Sequence, residues 1–301
     1  MKRRKFITNL YASGSLILLS NLSISCKDKP KGFRFGLISD LHYADRTNLG
    51  NRFCSHSINK LKDAVDQFKK SSLDFIIELG DFKDQGEKPQ RVETLQFLDT
   101  IEKVYQSSGL PAYHVMGNHD MDSISKNDFL SHTSNPGNAN KKSYYSFIVN
   151  GIKCIVLDAN YNQDGSDYDA GNFDWKYAMI PEKEQIWLKK ELNTGDEPVL
   201  VFLHQLLNEN AHPLLQIHNA KDIRLILEQS ERVLAVFQGH HHAGDYEKIN
   251  NIHYFTMKGA IEGEYPKNNS YAVVEVTPNG DIFIEGYINC SDKILKMNPK
   301  L

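Results

Sequence analysis

Short apolar runs alternate with amphipathic stretches through the first half of the chain. FRFGLIS precedes a stretch of helical periodicity over residues 57–70, DFIIELG precedes a second over residues 87–106, and AYHVMG follows. Apolar runs of this length, bounded by turn residues, are typical of buried strands. Strands that alternate with helices in this way predict βαβ units and a mainly parallel sheet.

The second half of the chain begins with a hairpin signal. YYSFIVN and IKCIVLDA flank Asn150-Gly151, a pair typical of a two-residue turn. PVLVFLH and VLAVFQG are separated by a helical stretch over residues 220–229, and HYFTMKG, SYAVVEV and DIFIEGY complete the pattern. No repeat or interdomain linker interrupts it. We therefore expect residues 33–301 to form one α/β domain with two sheets and helices outside each sheet.

Composition and charge restrict the partners of this domain. The 301 residues are 40% hydrophobic and 24% charged, as in soluble globular proteins. The net charge is −3, and no stripe of Lys and Arg is interleaved with aromatic residues. Because a nucleic-acid groove needs such a stripe, we expect no polymeric nucleic acid as a partner. No feature of the sequence indicates an oligomeric state.

Three cysteines lie within the predicted domain, at Cys54, Cys154 and Cys290. Their spacing contains no CxxC pair, so neither a zinc knuckle nor a redox pair is predicted. Cys154 stands in the apolar run IKCIVLD and is expected to be a small buried residue. One disulfide among the three is an open alternative, and no pair is favoured.

The first 26 residues have the pattern of an export signal. MKRRK is basic, FITNLYASGSLILLSNLSIS is modestly apolar, and small residues precede Cys26. Arg3 and Arg4 resemble a twin-arginine signal, with a general basic segment as the alternative. SIS before Cys26 resembles a loose bacterial lipobox. This interpretation predicts a lipidated Cys26, a tether over residues 27–32 and a place in the cell envelope, in the periplasm or on the outer surface. A plain cleaved peptide or an uncleaved anchor is the alternative.

Residues that can bind metals follow five of the apolar runs directly. They are Asp40-Leu41-His42, Asp81 with Asp84, Asn118-His119-Asp120, His204, and the tract His240-His241-His242. In open α/β sheets, ligands bind beyond the carboxyl ends of the strands. We therefore expect these side chains to meet at one rim. So many oxygen and nitrogen ligands are too many for one tetrahedral zinc ion and suit two divalent metals that share a carboxylate.

The spacing of the histidines predicts which of their side chains point to the same side of the backbone. His240 and His242 are two residues apart, so an extended backbone would point both to one side and His241 to the other. Asp40 and His42 have the same spacing. For the histidine tract alone, a solvated loop is the alternative. Asp81 is the expected bridging ligand, because a carboxylate has two oxygens and the preceding glycine lets the backbone approach closely.

The motifs DLH, GDFKD, GNHD, the His after VLVFL, and GHHH resemble those of the calcineurin-like metallophosphoesterases, which read DxH, GDxxD, GNH(D/E), H and GHxH in the same order. The resemblance covers about residues 33–242. It implies a four-layer αββα sandwich with two mixed sheets and two divalent metal ions, for which the mixed ligands admit Mn, Fe, Zn, Ni or Mg. The ligands that it implies for the first metal are Asp40, His42, Asp81 and His242. Those that it implies for the second are Asp81, Asn118, His204 and His240.

A site of this kind uses water activated between the metals to attack phosphorus, so no protein nucleophile is needed. His119 is then expected to protonate the leaving oxygen or stabilise the transition state, with Asp120 as its orienting carboxylate. A purely structural His119 is the alternative. Arg52 and His56 follow the first motif and are candidate phosphate contacts, against a helix-start arginine and a surface histidine as alternatives.

A finer resemblance concerns the substrate. FRFGLISDLHYAD, NRFCSHSINKL, IIELGD, YYSF, IVLDA and MKGAIEGEYP resemble the manganese-dependent ADP-ribose/CDP-alcohol diphosphatases, which implies small nucleoside-diphosphate substrates. His42 stands where vertebrate members of that branch have Gln, which restores the general family pattern. The segment 158–181 is rich in Asn, Asp and Gly and carries five aromatic rings, which either stack on a nucleobase or pack onto their own domain.

Together these features predict an exported, lipid-anchored hydrolase of small phosphodiesters or nucleoside diphosphates. A phosphomonoesterase acting on small phosphorylated metabolites is the alternative. A non-catalytic metal-binding scaffold fits less well, because every ligand position of the family pattern is filled in this sequence.

Overall fold

The computed structural model describes residues 31–297, and every structural statement below concerns that part of the chain. The predicted export signal, Cys26 and most of the predicted tether lie outside it. The strands are β1 (Phe33–Ile38), β2 (Phe75–Glu78), β3 (Ala112–His114), β4 (Tyr145–Val149), β5 (Ile152–Val156), β6 (Val199–Phe202), β7 (Val233–Gln238), β8 (Asp245–Ile249), β9 (Ile252–Thr256), β10 (Ser270–Val276), β11 (Ile282–Ile288) and β12 (Lys293–Leu295). The helices are α1 (Ser57–Lys70), α2 (Arg91–Gln106), α3 (Lys126–His132), α4 (Glu182–Leu192) and α5 (Ala220–Gln229). Short 3₁₀ helices cover Cys54–His56 and Asn118–Met121.

The strands form two mixed sheets. The first has the order β12-β11-β10-β1-β2-β3, in which β1, β2 and β3 are parallel. The second has the order β4-β5-β6-β7-β9-β8, in which β5, β6, β7 and β9 are parallel. Antiparallel strands β10, β11 and β12 lie on one side of the first sheet, and antiparallel strands β4 and β8 form the two edges of the second. The carboxyl ends of the parallel strands are therefore available to form one rim.

Three apolar clusters stack these elements into four layers. One cluster fills the space between the sheets and contains Phe35, Phe75, Phe202 and Phe237. A second joins α1, α2 and α3 to the first sheet, and a third joins α4 and α5 to the second. The order of layers is helix, sheet, sheet, helix, so the predicted αββα sandwich with two mixed sheets is confirmed.

Several elements differ from the prediction. Helix α2 begins at Arg91 rather than at residue 87, because the residue before Pro89 is disfavoured in the helical region. Helices α3 and α4 and strands β8 and β12 were not predicted. Strand β8 has the sequence DYEKI and little buried surface, so it lacks the apolar run that marks the other strands. It forms at the sheet edge by pairing with β9.

The three cysteines of the described region are free thiols, and all three are buried. Cys154 lies in β5 at 0% exposure, as predicted from its apolar run.

Within residues 31–297, none of the helices has the length and apolar character needed to cross a membrane.

We predict that Phe35→Ala lowers the free energy of unfolding by about 3–5 kcal/mol. Phe35 is fully buried, its ring lies parallel to Phe75 at 5.0 Å, and edges of Phe202 and Phe237 meet it from the other sheet at 5.8 and 5.5 Å. Urea unfolding measures the change. Val92→Ala, at a site 67% exposed on α2, is the control and should change stability by less than about 0.5 kcal/mol. Equal, small effects of the two substitutions would contradict this account of the core.

Candidate metal centre and active site

The polar residues predicted at the strand ends meet at one rim of the sandwich. They follow β1 and β2 in the first sheet and β6 and β7 in the second, and Asn118 follows β3. Despite their polarity, most are deeply buried. The buried ones include Asp40 (0%), His42 (1%), Asp81 (2%), Asn118 (3%) and His204 (0%). Polar groups buried to this degree need hydrogen-bond or ion-pair partners, and these side chains are partners for one another.

The first group of ligand atoms comes from Asp40, His42 and His242, which lie within 4.8 Å of one another. Nε2 of His42 faces Nε2 of His242 at 3.2 Å, and Nε2 of His242 lies 3.4 Å from Oδ1 of Asp40. The other nitrogens of these rings face carboxylates, because Nδ1 of His242 lies 2.7 Å from Glu262 and Nδ1 of His42 lies 3.5 Å from Asp84. Protons on the outer nitrogens leave two lone pairs facing each other, an arrangement that a cation between them would stabilise.

The second group comes from Asp81, His204 and His240. Nδ1 of His204 donates to the carbonyl oxygen of Leu79 at 2.7 Å, so Nε2 is the ring nitrogen that faces the site. That Nε2 lies 3.2 Å from Oδ2 of Asp81 and 3.2 Å from Nδ1 of His240. Within residues 31–297, Oδ1 of Asn118 is buried without a hydrogen-bond partner, and an orphaned amide oxygen is a suitable further ligand.

Asp81 lies between the two groups. Its Oδ2 is 3.2 Å from His204 in the second group and 3.5 Å from Nε2 of His42 in the first. Its other oxygen, Oδ1, accepts a hydrogen bond from the backbone N–H of His119 at 2.8 Å. The carboxylate thus lies between the two groups, where it could be shared by two ions, and the residues present fit a pair of divalent ions.

The backbone that positions these ligands is not extended, contrary to the geometric argument from the sequence. Asp40, His42, Asp81 and His240 all have positive φ, at 54°, 46°, 52° and 66°. Left-handed residues redirect the chain sharply just after a strand and are strained for non-glycine residues. His240 and His242 consequently reach different ligand groups rather than one common point. His241 belongs to neither group, as expected.

Two glycines allow the strand ends to approach each other. A Cβ atom on Gly80 would lie 2.6 Å from the backbone nitrogen of Gly117, and one on Gly117 would lie 2.3 Å from the backbone nitrogen of Asp81. Neither contact is sterically possible, so both positions require glycine. These glycines precede Asp81 and Asn118 in the chain and bring those ligands together.

The charges of the site favour a cation. Burial alone would raise the pKa of Asp81, but the imidazoles of His204, His119 and His42 hold that pKa well below its usual range. Burial and the proximity of His204 lower the pKa of His240 to about 3, which keeps its ring neutral and its lone pair available. An ionised carboxylate and a neutral imidazole are the forms that bind metals.

His119 lies half-buried at the open side of the site. Its ring contacts that of His42 edge-on at 4.6 Å, and its Nδ1 lies 3.5 Å from Oδ2 of Asp84. Although burial opposes its charge, Asp81 and Asp84 raise the pKa of His119 to about 9. The imidazole is therefore able to carry the proton that a leaving oxygen needs.

Asp120 does not orient His119, which corrects the prediction. Its carboxylate accepts hydrogen bonds from the backbone N–H groups of Gly117, Asp81, Phe82 and Lys83 at 2.8–3.3 Å. It therefore fixes the turn that carries Asp81. The turn of the backbone at residues 118–121 directs its side chain inward, a feature that the sequence motif does not reveal.

Two residues with roles at the site were not assigned from the sequence. Asp84 lies 3.5 Å from Nδ1 of both His42 and His119, so it orients a predicted ligand and the candidate acid together. The second Asp of GDFKD was the available signal. Glu262 orients His242 from a segment 20 residues further along the chain, and no local pattern marks it.

The two candidate phosphate contacts have different surroundings. Arg52 is half-exposed at the rim, with Nε 3.8 Å from Glu262, and so lies beside the first ligand group. His56 packs its ring on Phe53 at 5.2 Å, and its Nδ1 accepts a hydrogen bond from the backbone N–H of Tyr265. These contacts hold His56 against its own surroundings, and its substrate role stays a prediction.

The aromatic rings of segment 158–181 divide into two kinds. Tyr161 and Tyr168 are buried, and Phe173 stacks on Tyr168 at 4.2 Å, so these rings pack onto their own domain. Trp175 is 41% exposed, and its ring lies 6.2 Å from that of His240. Of the five rings, Trp175 is thus placed in contact with a predicted metal ligand.

A two-sheet sandwich with adjoining groups of metal-binding side chains at one rim is an arrangement that suits a two-metal site. Comparison with known proteins identifies the family. A family model described as calcineurin-like phosphoesterase matches residues 33–244, so the chain belongs to that family. It is accordingly a metal-dependent hydrolase of phosphoric esters. When bound, a pair of divalent ions supplies an activated water and neutralises charge on the phosphate oxygens.

Individual proteins agree with the family model. The chain is 25% identical to a manganese-dependent ADP-ribose/CDP-alcohol diphosphatase of Oryza sativa subsp. japonica over 306 residues, which cover 88% of this chain and 94% of the relative. It is 22% identical to the Homo sapiens protein of the same name, over 87% of this chain and 92% of the relative. The crystal structure of a dimetal phosphatase from Danio rerio superposes with a TM-score of 0.76 at 22% identity, covering 89% of this chain and 100% of that one.

We predict that His119→Ala lowers kcat/KM for alkyl phosphate monoesters by about 10²–10⁴-fold and for diphosphates and p-nitrophenyl esters much less. An alkoxide leaving group needs a proton, whereas phosphate and p-nitrophenolate leave as stable anions. Asp84→Asn should give the same ranking, because Asp84 orients the ring. Steady-state kinetics on the three ester types measure this, with His241→Ala as the near-neutral control. An equal fall on all three would reassign His119 to phosphate binding or metal support.

Proposed function

We propose that this protein hydrolyses small nucleoside-diphosphate compounds or related phosphodiesters, with two divalent ions such as Mn²⁺ as cofactors. The curated relatives that match over most of the chain carry the name manganese-dependent ADP-ribose/CDP-alcohol diphosphatase, which supports this substrate class. The structural observation that carries the proposal is an exposed indole at the rim, 6.2 Å from a predicted metal ligand. A planar apolar surface beside a phosphate site suits a nucleotide better than a simple phosphate ester.

Trp175 is held at the rim by the fold of its own segment. The backbone N–H groups of Ala170 and Gly171 donate to the carbonyl oxygens of Ile124 and Met121, which docks the segment on the turn that carries Asn118 and His119. Segment and metal site are therefore connected through backbone hydrogen bonds. A base stacked on the indole would lie on the side of the second ligand group, next to His240.

Arg52 lies on the other side of the site. Its guanidinium is near Glu262, which contacts His242 of the first ligand group. A substrate whose base rests on Trp175 and whose phosphates lie over both ligand groups would place its far end near this guanidinium. Arginine is suited to phosphate or polar sugar groups at such a position. Base, diphosphate and polar tail in this order describe ADP-ribose or a CDP-alcohol.

We predict a kcat/KM at least about tenfold higher on ADP-ribose and CDP-choline than on glycerol phosphate and glucose 6-phosphate, all measured with Mn²⁺. Trp175→Ala should cost about 1–3 kcal/mol of stacking on the two nucleotides, seen as a higher KM, and should leave the two monoesters unchanged. Phe283→Ala, an exposed aromatic on β11, is the matched control. Higher activity on the monoesters would instead favour the phosphomonoesterase alternative.

We also propose that the protein is exported to the cell envelope and anchored through a lipid on Cys26. The basic and apolar segment before this cysteine supports the proposal. The direction of β1 indicates how an anchored domain would be oriented on the membrane. Lys31 donates its backbone N–H to Asn150, at the turn between β4 and β5, and the chain then enters β1 at Phe33. The chain therefore enters the domain at the amino-terminal ends of the parallel strands, and the ligand groups lie at their carboxyl ends. An anchored domain would consequently present its site away from the membrane.

We predict that the purified mature protein begins at a lipid-modified Cys26 and partitions with membranes. A single acyl chain binds membranes only weakly, so the modification should carry several chains. Mass spectrometry of the N-terminal peptide measures both cleavage and modification. Cys26→Ala is the control and should release the protein to the soluble fraction. An unmodified N-terminus on soluble wild-type protein would overturn the anchoring proposal and leave the hydrolase proposal unaffected.

A further inference from the structure

A fully buried lysine lies behind the first ligand group. Lys60 projects from α1, and its side chain is 0% exposed. Its ammonium donates to the carbonyl oxygens of four consecutive residues, at 2.7, 3.1, 3.1 and 2.7 Å for residues 260, 261, 262 and 263. An ammonium has three protons, so four carbonyl acceptors satisfy it completely. Segment 260–263 is thus folded around one cation.

The same segment contacts the first ligand group from outside. The backbone N–H groups of Ala260 and Ile261 donate to the carbonyl oxygens of Ser39 and Asp40 at 3.0 and 2.9 Å. The segment therefore runs along the backbone of one predicted ligand. Through Glu262, it also reaches the outer nitrogen of a second.

The fit between this segment and His242 is close. Oε1 of Glu262 accepts from Nδ1 of His242 at 2.7 Å, and a Cβ atom on Gly259 would lie 2.9 Å from the imidazole ring. The ring is thus held at one face by backbone and at one edge by a carboxylate. A shift of this segment would turn the imidazole and misplace its Nε2.

The carbonyl groups need the ammonium for electrostatic reasons. Four carbonyl dipoles that point at one place repel each other, and each buried carbonyl left without a donor costs about 1–3 kcal/mol. Without the cation, the segment would be expected to open and to carry Glu262 away from His242. Loss of a hydrogen-bond partner behind a metal ligand typically weakens metal affinity by about 10–100-fold.

We propose that Lys60 is a positioning residue for the first metal, because its ammonium fixes segment 260–263 and thereby the orientation of His242. The inference rests on the two-metal site described above. Within residues 31–297, the hydrogen bonds of this segment reach Asp40 and His242 of the first group and no ligand of the second group. The loss of Lys60 should therefore weaken the first metal and leave the second bound.

The test is metal binding by Lys60→Met, which keeps the aliphatic stem and removes the charge. Purified full-length proteins are equilibrated against graded Mn²⁺, and bound metal is measured by elemental analysis. The wild type should fill two sites. In the variant, one site should weaken by about 10–100-fold and the other should be unchanged. Electron paramagnetic resonance at intermediate Mn²⁺ should show isolated ions in the variant where the wild type shows coupled pairs.

Lys153→Met is the matched control. Lys153 is also buried and donates to two carbonyl oxygens, of Glu191 and Thr194 at 2.9 and 3.0 Å, but it lies in β5 beside the end of α4. The Lys153→Met variant should lose stability, because buried carbonyl groups lose their donor there too, and it should keep both metal sites. Identical binding curves for Lys60→Met and the wild type, or equal weakening of both sites, would overturn the proposal.

A second variant covers failure of Lys60→Met to fold. Glu262→Gln changes a half-buried side chain and removes the charge that orients His242, so it should weaken the same single site. Two unchanged sites in Glu262→Gln would then overturn the proposal. A wild type that binds fewer than two ions would contradict the two-metal site itself, and this result is distinct from failure of the inference about Lys60.

Discussion

The arrangement of the site depends on the interactions of the Asp81 carboxylate. Its side chain joins both ligand groups through His42 and His204, and its Oδ1 accepts from the backbone of His119. Its backbone is equally engaged, because its carbonyl oxygen accepts from His42 and its N–H donates to Asp120. Burial of a carboxylate costs several kcal/mol unless it is paired and hydrogen-bonded. Asp81 meets that condition only when four strand ends from two sheets are in place, so the fold and the site form together.

Buried lysines hold the loops around this centre. Lys60 gathers the carbonyls of segment 260–263, Lys83 donates to the carbonyl oxygen of His119 and pairs with Asp122, and Lys126 reaches Asp158 at 2.7 Å. Each of these lysines joins the helix or turn that carries it to a loop that borders the rim. A long stem with three donors can satisfy several loop acceptors that have no regular secondary structure to pair with. The desolvation cost of each ammonium is offset by these hydrogen bonds, and the loops become fixed in one arrangement.

Sequence reasoning recovers the layers and the order of the ligands, because both follow from local signals: apolar runs, helical periodicity and the polar residue after each strand. It fails where the backbone turns. The left-handed φ of His240 separates it from His242, and the turn at residues 118–121 points Asp120 inward and leaves Asp84 beside His119. Glu262 and Lys60 lie about 200 residues apart, and only the tertiary fold brings them together. Spacing along a chain predicts which residues meet, whereas which atom faces which depends on backbone angles.

Burial separates the parts of the site by function. The predicted ligands Asp40 and His204 are fully buried, whereas His119, Arg52 and Trp175 are partly exposed along the rim. A substitution among the buried residues disturbs charges that stabilise both sheets, and one at the rim disturbs only what the rim binds. Rim residues can therefore change while the metal centre persists. The predicted ligands therefore depend on the packing of both sheets, whereas Arg52 and Trp175 can be substituted without disturbing that packing.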